Sequence, residues 1–463
     1  MKRRTFLSVS AGTGAGAAVA GLACVKDPIQ QIRPSNDIGT IEGLSLEQLR
    51  KQLRSELFDN FLPAMDTMVI DHEYGGFMCN AKPDGTRINT NKRAWYEGRG
   101  TYIYSFLYNT IEQNPKYLDV ARKAVEFILK TQPPEGTLWN SWFTKEGKPV
   151  GGPDTVIYSD LFVAMGLQEY SVAAQDEHYW DMAKDIILKY MNIYDNRPGF
   201  GAIPPGGDIP GGSQGGFNPD EFGTKEQKLN KPGVPRTRIL GHWMLTLRLL
   251  NLMLAKKSDT ELEALAARCT DAIMINHWNP DFRLFVEYLN YDMSRIDNDH
   301  GQVVYGHGQE AMWMVMERAL FKKDRQLFDT CAERLKRQIE VFWDDVYGGE
   351  LLELLHVDNN TWNVSKSLWL HDEILIGTLM VIEYTGAQWA KLWFKRVLDY
   401  IKEKFELRQY GHPLWALYMD RKGTFNPDND RIGNYHHPGM LMLNILALDR
   451  MIQNGGKVTP FPG

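Results

Sequence analysis

The sequence predicts an all-α fold, an (α/α)6 barrel of twelve helices in six hairpins with short β-hairpins on one loop-rich rim. Three observations carry this prediction. Apolar residues recur at helical spacing through almost the whole 463-residue chain. The links between helical segments alternate between very short and long. The pattern D-x-x-Y-G-G occurs twice, as DHEYGG at 71–76 and DDVYGG at 344–349, each followed by a strand-like stretch and a turn.

The helical segments run over 46–69, 93–113, 116–133, 154–175, 177–195, 236–256, 258–277, 303–320, 322–343, 365–386, 388–405 and 434–454. Within five pairs, starting from the second segment, the link is one or two residues, marked by Asn114-Pro115 and by polar breaks such as Gln175-Asp176. Short links make antiparallel neighbours. The other links are long and include 134–153, 196–235, 278–302, 344–364 and 406–433. Strict alternation puts every long loop at the same end. No linker interrupts 46–454, so the barrel is one domain, with a linker at 25–45 before it and a tail at 455–463 after it. The loop 196–235 is dense in Gly and Pro and reads as a flap over the decorated end or as a surface excursion.

Composition narrows the class. Hydrophobic residues at 43% and charged residues at 24% exclude disorder for the bulk of the chain. A net charge of −6 with no basic run argues against a nucleic-acid partner. The many Trp, Tyr and Phe residues suit a ligand with flat apolar faces, such as a sugar, although most serve as core. Residues 1–24 carry Arg3-Arg4 and an uncharged Gly/Ala-rich run, the pattern of a twin-arginine export signal. Cys24 sits where a lipobox cysteine would, and Ala18-Val19-Ala20 offers a competing cleavage site. The expectation is an exported bacterial protein, periplasmic or tethered through a lipid on Cys24, with no membrane span. Cys79, Cys269 and Cys331 have no disulfide or metal spacing.

In such a barrel the even-numbered helices form the inner ring, and their first turns face the loop-rich end. Those turns are polar and aromatic: Trp95, Glu97 and Arg99; Tyr158 and Asp160; Arg236, Arg238 and His242; His307 and Glu310; Lys366, Trp369, His371, Asp372 and Glu373; and Tyr435, His436 and His437. Converging helix N-termini favour anions and keep imidazole neutral. An arginine there needs a task or a carboxylate partner, which singles out Arg99. His307 and Glu310 share a helix face at i,i+3. The pair admits a general base oriented by a carboxylate, two metal ligands, or a helix-start histidine bonded to backbone. Zinc needs three or four ligands and no nearby spacing completes a set, so a metal is not expected. Trp369 and Glu373 at i,i+4 form an aromatic–carboxylate pair suited to a sugar, and Glu287 adds a rim carboxylate.

Five segments in order carry a resemblance to the N-acylglucosamine 2-epimerase family, which includes cellobiose 2-epimerases and related aldose–ketose isomerases. Trp95-Tyr-Glu-Gly-Arg99 resembles W-x-x-G-R, and Tyr158-Ser-Asp-Leu-Phe162 resembles Y-x-x-x-F. Gly306-His-Gly-Gln-Glu310-Ala-Met-Trp313 is similar to P-G-H-x-x-E-x-x-W. Lys366, Trp369 and Glu373 fit K-x-x-W-x-x-x-E, and Tyr435-His-His-Pro438 resembles Y-H-x-P-R. The resemblance implies a sugar isomerase acting at C2 of a small-molecule reducing sugar. His307 and His436 would be the two acid/base groups on opposite sides of C2, and Arg99 would bind the carbonyl oxygen or enolate. Glu310 would orient His307, and Glu373 would hold hydroxyls or tune a histidine. Trp95, Tyr158, Arg238, His242, Glu287, Trp369 and His371 would contact substrate. No metal or redox cofactor is required, and a monomer or homodimer is expected.

Two departures fall in the expected pocket. Arg238-Ile-Leu-Gly241-His242 stands where the family has H-x-L-E-A, and Gly439 stands where it has Arg. The sugar therefore stays open. An N-acylglucosamine 2-epimerase-type reaction is the first expectation. A cellobiose-like 2-epimerase or aldose–ketose isomerase, an (α/α)6-barrel glycoside hydrolase and a non-catalytic sugar binder are the alternatives. Arg236 and Arg238 point to an acidic sugar.

Overall fold

The structure, a computed structural model, describes residues 36–153, 157–196, 237–297, 299–424 and 430–463. The expected export segment with Cys24, Arg236 and most of the Gly/Pro-rich loop lie outside the described residues.

Among the described residues twelve long helices form the (α/α)6 barrel. α1 runs through Leu46–Ser55, a π-helical stretch Glu56–Phe61 and Leu62–Met68. The others are α2 (Ala94–Thr110), α3 (Pro115–Lys130), α4 (Tyr158–Ala174), α5 (His178–Asn196) and α6 (Leu240–Lys256). They continue with α7 (Thr260–Asp271), α8 (His307–Lys322), α9 (Arg325–Phe342), α10 (Leu368–Thr385), α11 (Gln388–Tyr400) and α12 (His436–Gln453).

Burial separates inner from outer helices. α9 buries one stripe, Phe328, Cys331, Ala332, Leu335, Gln338, Ile339 and Phe342, and turns its charges to solvent. α10 is buried on nearly every side, from Leu368 to Glu383. The short links are capped as expected: the Asn114 side chain accepts from Lys116 N ahead of Pro115, and the Asp324 side chain accepts from Leu327 N. Inner helices α2 and α4 touch through glycine. A Cβ at Gly166 would lie 2.8 Å from the Gly98 carbonyl oxygen.

The rim strands do more than decorate. Four inner helices are entered directly from a strand that pairs with the rim. Lys92–Arg93 precedes α2 and pairs with Asn140–Phe143. Thr237–Ile239 precedes α6 and pairs with Tyr288–Asn290. Val304–Tyr305 precedes α8 and pairs with Glu353–His356. Lys366–Ser367 precedes α10 and pairs with Tyr418–Met419.

The two D-x-x-Y-G-G loops are matching clamps on two of these entries. Lys92 Nζ meets Asp71 at 2.8 Å and donates to the Gly75 carbonyl at 2.5 Å. Lys366 Nζ meets Asp344 at 3.1 Å and donates to the carbonyls of Gly348 and Gly349 at 2.7 and 3.0 Å. Gly75, Gly76, Gly348 and Gly349 all have φ between 73° and 81°, which lets the carbonyls turn inward. Five residues beyond each lysine, a helix side chain accepts the amide that follows the glycines. Glu97 accepts from Phe77 N at 3.0 Å, and His371 Nε2 accepts from Glu350 N at 3.0 Å.

The segment expected as a linker ends sooner than residue 45 suggested. Ile38 and Ile41 are buried, and Ile38 N donates to the Gly456 carbonyl at 2.8 Å, so residues 36–45 pack onto the barrel beside the chain's end. Cys79, Cys269 and Cys331 are buried and unpaired. No helix among the described residues is long and apolar enough to cross a membrane.

Lys366 and Asp344 are both fully buried, so removing one leaves an uncompensated charge. Asp344→Asn should cost about 3–5 kcal/mol in chemical unfolding. Breaking the exposed Lys395–Asp399 pair on α11 should cost under about 0.5 kcal/mol.

Candidate active site

The first turns of all six inner helices converge on one cavity of about 240 Å³. Trp95 and Arg99 enter from α2, Tyr158 from α4, Leu245 from α6, His307 and Glu310 from α8, Trp369 from α10 and His436 from α12. Two carboxylate-supported histidines face this space. His307 Nδ1 is 2.8 Å from Glu287 Oε1, and His436 Nδ1 is 2.7 Å from Glu373 Oε1. Each ring is thereby held at Nδ1; Nε2 of His307 has no partner among the described residues, and Nε2 of His436 meets Arg99. Trp369 packs against both, its ring centroid 5.7 Å from each imidazole.

The two histidines have opposite electrostatics. Burial disfavours charge on His307, but Glu287 outweighs it, with Glu310 adding to the effect, and the pKa is raised above the ordinary histidine value. Burial drives the pKa of His436 well below that value, and the positive charges of Arg99 and Arg431 push the same way. The hydrogen-bond network assigns the His436 proton to Nδ1, facing Glu373, with Nε2 accepting from Arg99 Nη2 at 3.4 Å. Arg99 is enclosed by the rings of Trp95, Phe162 and Tyr435 at 4.5, 4.2 and 4.9 Å. Burial lowers its pKa only to about 10, so it stays charged at neutral pH.

Glu310, Glu373 and His436 bring their polar atoms within 4.8 Å of one another. Burial raises both carboxylates, Glu310 to about 7, and each raises Glu373 or is raised by a further acid: Glu310 acts on Glu373, and Glu287 acts on Glu310. Trp313 Nε1 donates to Glu373 Oε2 at 2.6 Å. These three residues are the cluster that could hold a metal. Nδ1 of His436 is already bonded to Glu373, however, and Nε2 faces the Arg99 guanidinium, which opposes a bound cation. A proton shared among the acids fits the charges better.

Several sequence expectations are corrected. Glu287, not Glu310, hydrogen-bonds His307; the i,i+3 partner acts on it by charge alone and lies within 4.8 Å of His436. His371 lies away from the cavity: Nδ1 bonds the Ser367 carbonyl at 2.7 Å, Nε2 holds the rim clamp, and the ring stacks on Tyr400. Arg238 is also turned away, donating to the carbonyls of Tyr194 and Tyr291 at 3.0 Å each and pairing with Asp195 at 3.3 Å. It is not free to meet an acidic sugar. His242 is buried behind the wall, edge-on to Tyr158 and Tyr194, and burial drops its pKa to about 3.

The α6 departure has a packing reason. The second and sixth residues are Trp95 and Arg99 in α2, and Trp369 and Glu373 in α10. In α6 the same places hold Gly241 and Leu245. A Cβ at Gly241 would lie 2.8 Å from His307 Cε1 and would collide with the Tyr158 hydroxyl. The Tyr158 phenol thus occupies the place of an α6 side chain. Sequence reading missed Tyr305, edge-on to His307 at 4.6 Å, and Arg431, which lines the cavity five residues before His436. An arginine so close to Y-H-x-P was the available signal.

Comparison with known proteins agrees with this architecture. The profile described as N-acylglucosamine 2-epimerase (GlcNAc 2-epimerase) matches residues 75–209 and 213–437. The N-acylglucosamine 2-epimerase of Rattus norvegicus is 25% identical over 369 residues, spanning 76% of this chain and 80% of the relative. The cellobiose 2-epimerase structure from Bacillus thermoamylovorans superposes with a TM-score of 0.68 at 18% identity, covering 86% of this chain and 99% of that one. A D-mannose isomerase superposes with a TM-score of 0.63 at 12% identity, covering 88% and 97%.

Glu310 has a folded pKa raised to about 7 from an ordinary 4.5, so between those values the unfolded chain is ionised and the folded chain is not. That group's contribution to stability is full below pH 4.5 and is lost as pH rises toward 7. Glu310→Gln should remove this part of the pH dependence, measured as the difference in unfolding free energy between variant and wild type across that range. Parallel curves would contradict the assignment.

Proposed function

The chain belongs to the N-acylglucosamine 2-epimerase family of carbohydrate epimerases and isomerases, and from that premise we propose that it epimerises a reducing monosaccharide at C2. The observation that carries this reading is the pair of histidines of opposite protonation preference, each backed by a buried carboxylate and packed against Trp369, with a guanidinium beside one. The cavity of about 240 Å³ lies below the ~300–1,000 Å³ typical of drug-sized ligands, which favours one sugar ring over a longer saccharide.

In the open-chain sugar, neutral His436 takes the C2 proton through Nε2. The C–H electron pair forms the C1–C2 double bond of an enediolate, and the carbonyl π electrons move to the C1 oxygen. Arg99 stabilises that oxygen, and the hydrogen bond to Glu373 holds the His436 ring at Nδ1. Protonated His307 then returns a proton to the opposite face of C2, with Glu287 holding its ring. The reverse direction exchanges the two roles. Delivery to C1 in place of C2 would give a ketose, the outcome of an aldose–ketose isomerase. A hydrolase reading is weaker. It calls for two carboxylates flanking a bond at roughly 5–9.5 Å, whereas Glu310 and Glu373 approach within 4.8 Å and share their site with His436.

Proton NMR in D2O with N-acetylglucosamine, N-acetylmannosamine, glucose, mannose and cellobiose tests the reading. Deuterium should enter C2, and His307→Ala and His436→Ala should each lose about 10²–10⁴-fold in rate. Absence of exchange with every sugar, or retained exchange in either variant, would overturn it. Activity should follow a bell in pH. The acid limb reports His436 and lies well below the ordinary histidine value, whereas the alkaline limb reports His307 and lies above it. Glu287→Gln removes the charge that raises His307 and should move the alkaline limb to lower pH.

A further inference from the structure

Among the described residues the cavity wall carries two guanidiniums, and the proton transfer uses one of them. Arg431 lies on the segment leading into α12 and lines the same cavity as Arg99. Its Nη1 donates to the Tyr96 phenol at 2.7 Å and its Nη2 to the Tyr418 phenol at 3.0 Å. A guanidinium has five N–H groups, so the others remain available to a ligand. Burial opposes its charge, but the two phenols and the adjacent Asp430 outweigh that, and Arg431 stays a cation.

Among the described residues no carboxylate reaches Arg431 at ion-pair distance; Asp430 acts on it from farther away. Buried guanidiniums elsewhere do meet one: Arg238 meets Asp195, Arg248 meets Glu317 and Arg318 meets Glu263. Arg93 and Arg99, like Arg431, have no such partner: Arg93 is packed against Trp95, Tyr96 and Trp142 and does not line the cavity, and Arg99 is the cation the proton transfer uses. A cation kept in a cavity without an anion is costly unless a ligand supplies one. The nearby acids do not pair with it: Glu373 is bonded to His436 and Trp313, and Glu310 places an oxygen within 4.8 Å of Glu373 and His436.

We propose that Arg431 anchors a carboxylate on the substrate, so that the preferred sugar is a hexuronic acid. The planar fork of arginine matches a carboxylate in a bidentate arrangement. A group at the far end of an open-chain hexose lies away from C1 and C2, which leaves Arg99 for the reacting oxygen. This inference rests on C2 proton exchange as the activity, and it names the substrate class for the same site.

The test compares glucuronate and mannuronate with glucose and mannose, reading both C2 exchange and calorimetric affinity, with glucose 6-phosphate as the phosphate arm. The uronates should be preferred by about 10- to 100-fold, the scale of a charge-assisted hydrogen bond. Arg431→Gln should bring that ratio close to one, whatever it does to the absolute rates, and Arg431→Lys should retain part of it. A wild-type ratio near one, or a ratio unchanged in Arg431→Gln, overturns the proposal. A preference for the phosphate overturns the carboxylate assignment. Tight uronate binding without exchange supports the anchor while defeating the C2 reaction. Exchange without uronate preference does the reverse. The wild-type ratio decides the matter even if the variants do not fold.

Discussion

The site depends on where the inner helices begin. Their first turns carry the functional side chains, and a shift of one residue at a helix start would swing each of them about 100° away from the cavity. The rim prevents that shift. Two buried lysine–aspartate pairs, Lys92–Asp71 and Lys366–Asp344, hold the strand residues just ahead of α2 and α10. From those fixed points Trp95 and Arg99 on one side, and Trp369 and Glu373 on the other, follow at the same positions. A buried ion pair adds little net stability over an apolar substitute. What it provides here is registry, because each lysine also requires carbonyls of the double-glycine turn at set distances.

On that frame the charges are divided between two histidines. Both rings are buried and both bond a carboxylate through Nδ1, yet the neighbouring groups send them in opposite directions. His307 sees Glu287 with Glu310 behind it, whereas His436 sees Arg99, Arg431 and the positive side of His307. Glu373, the carboxylate bonded to His436, is itself pushed toward its neutral form by burial and by Glu310. One imidazole is thereby set up to give a proton and the other to take one, as reversible proton exchange on two faces of a carbon requires.

Much of the frame was legible in the sequence, because it rests on local rules. Helical periodicity and the alternation of short and long links yield six hairpins with one decorated end, and twelve helices stand where those rules place them. His307, Glu310, Trp369, Arg99 and His436 were legible as helix-start residues. Glu287 as the support of His307 was not: it stands twenty residues upstream on the rim, and the i,i+3 rule pointed to Glu310 instead. His371 was excludable on geometry. Trp369 and Glu373 share a face at i,i+4, so the residue midway between them faces outward. Arg238 is in a strand whose neighbours, Tyr194 and Tyr291, come from distant segments, and its contacts had no local signature. The D-x-x-Y-G-G repeat was visible, but its partners are lysines about twenty residues on.

The reading stands or falls on the opposite protonation preferences of His307 and His436, one raised and the other lowered from the ordinary histidine value. Nitrogen-15 NMR of histidine-labelled protein as pH is varied, with each ring assigned by substitution, tests it most directly. His307 should gain its second proton at a pH above the ordinary histidine value, whereas His436 should stay neutral, with its proton on Nδ1, to well below that value. Both rings neutral and titrating together near the ordinary value of about 6.5 would contradict it.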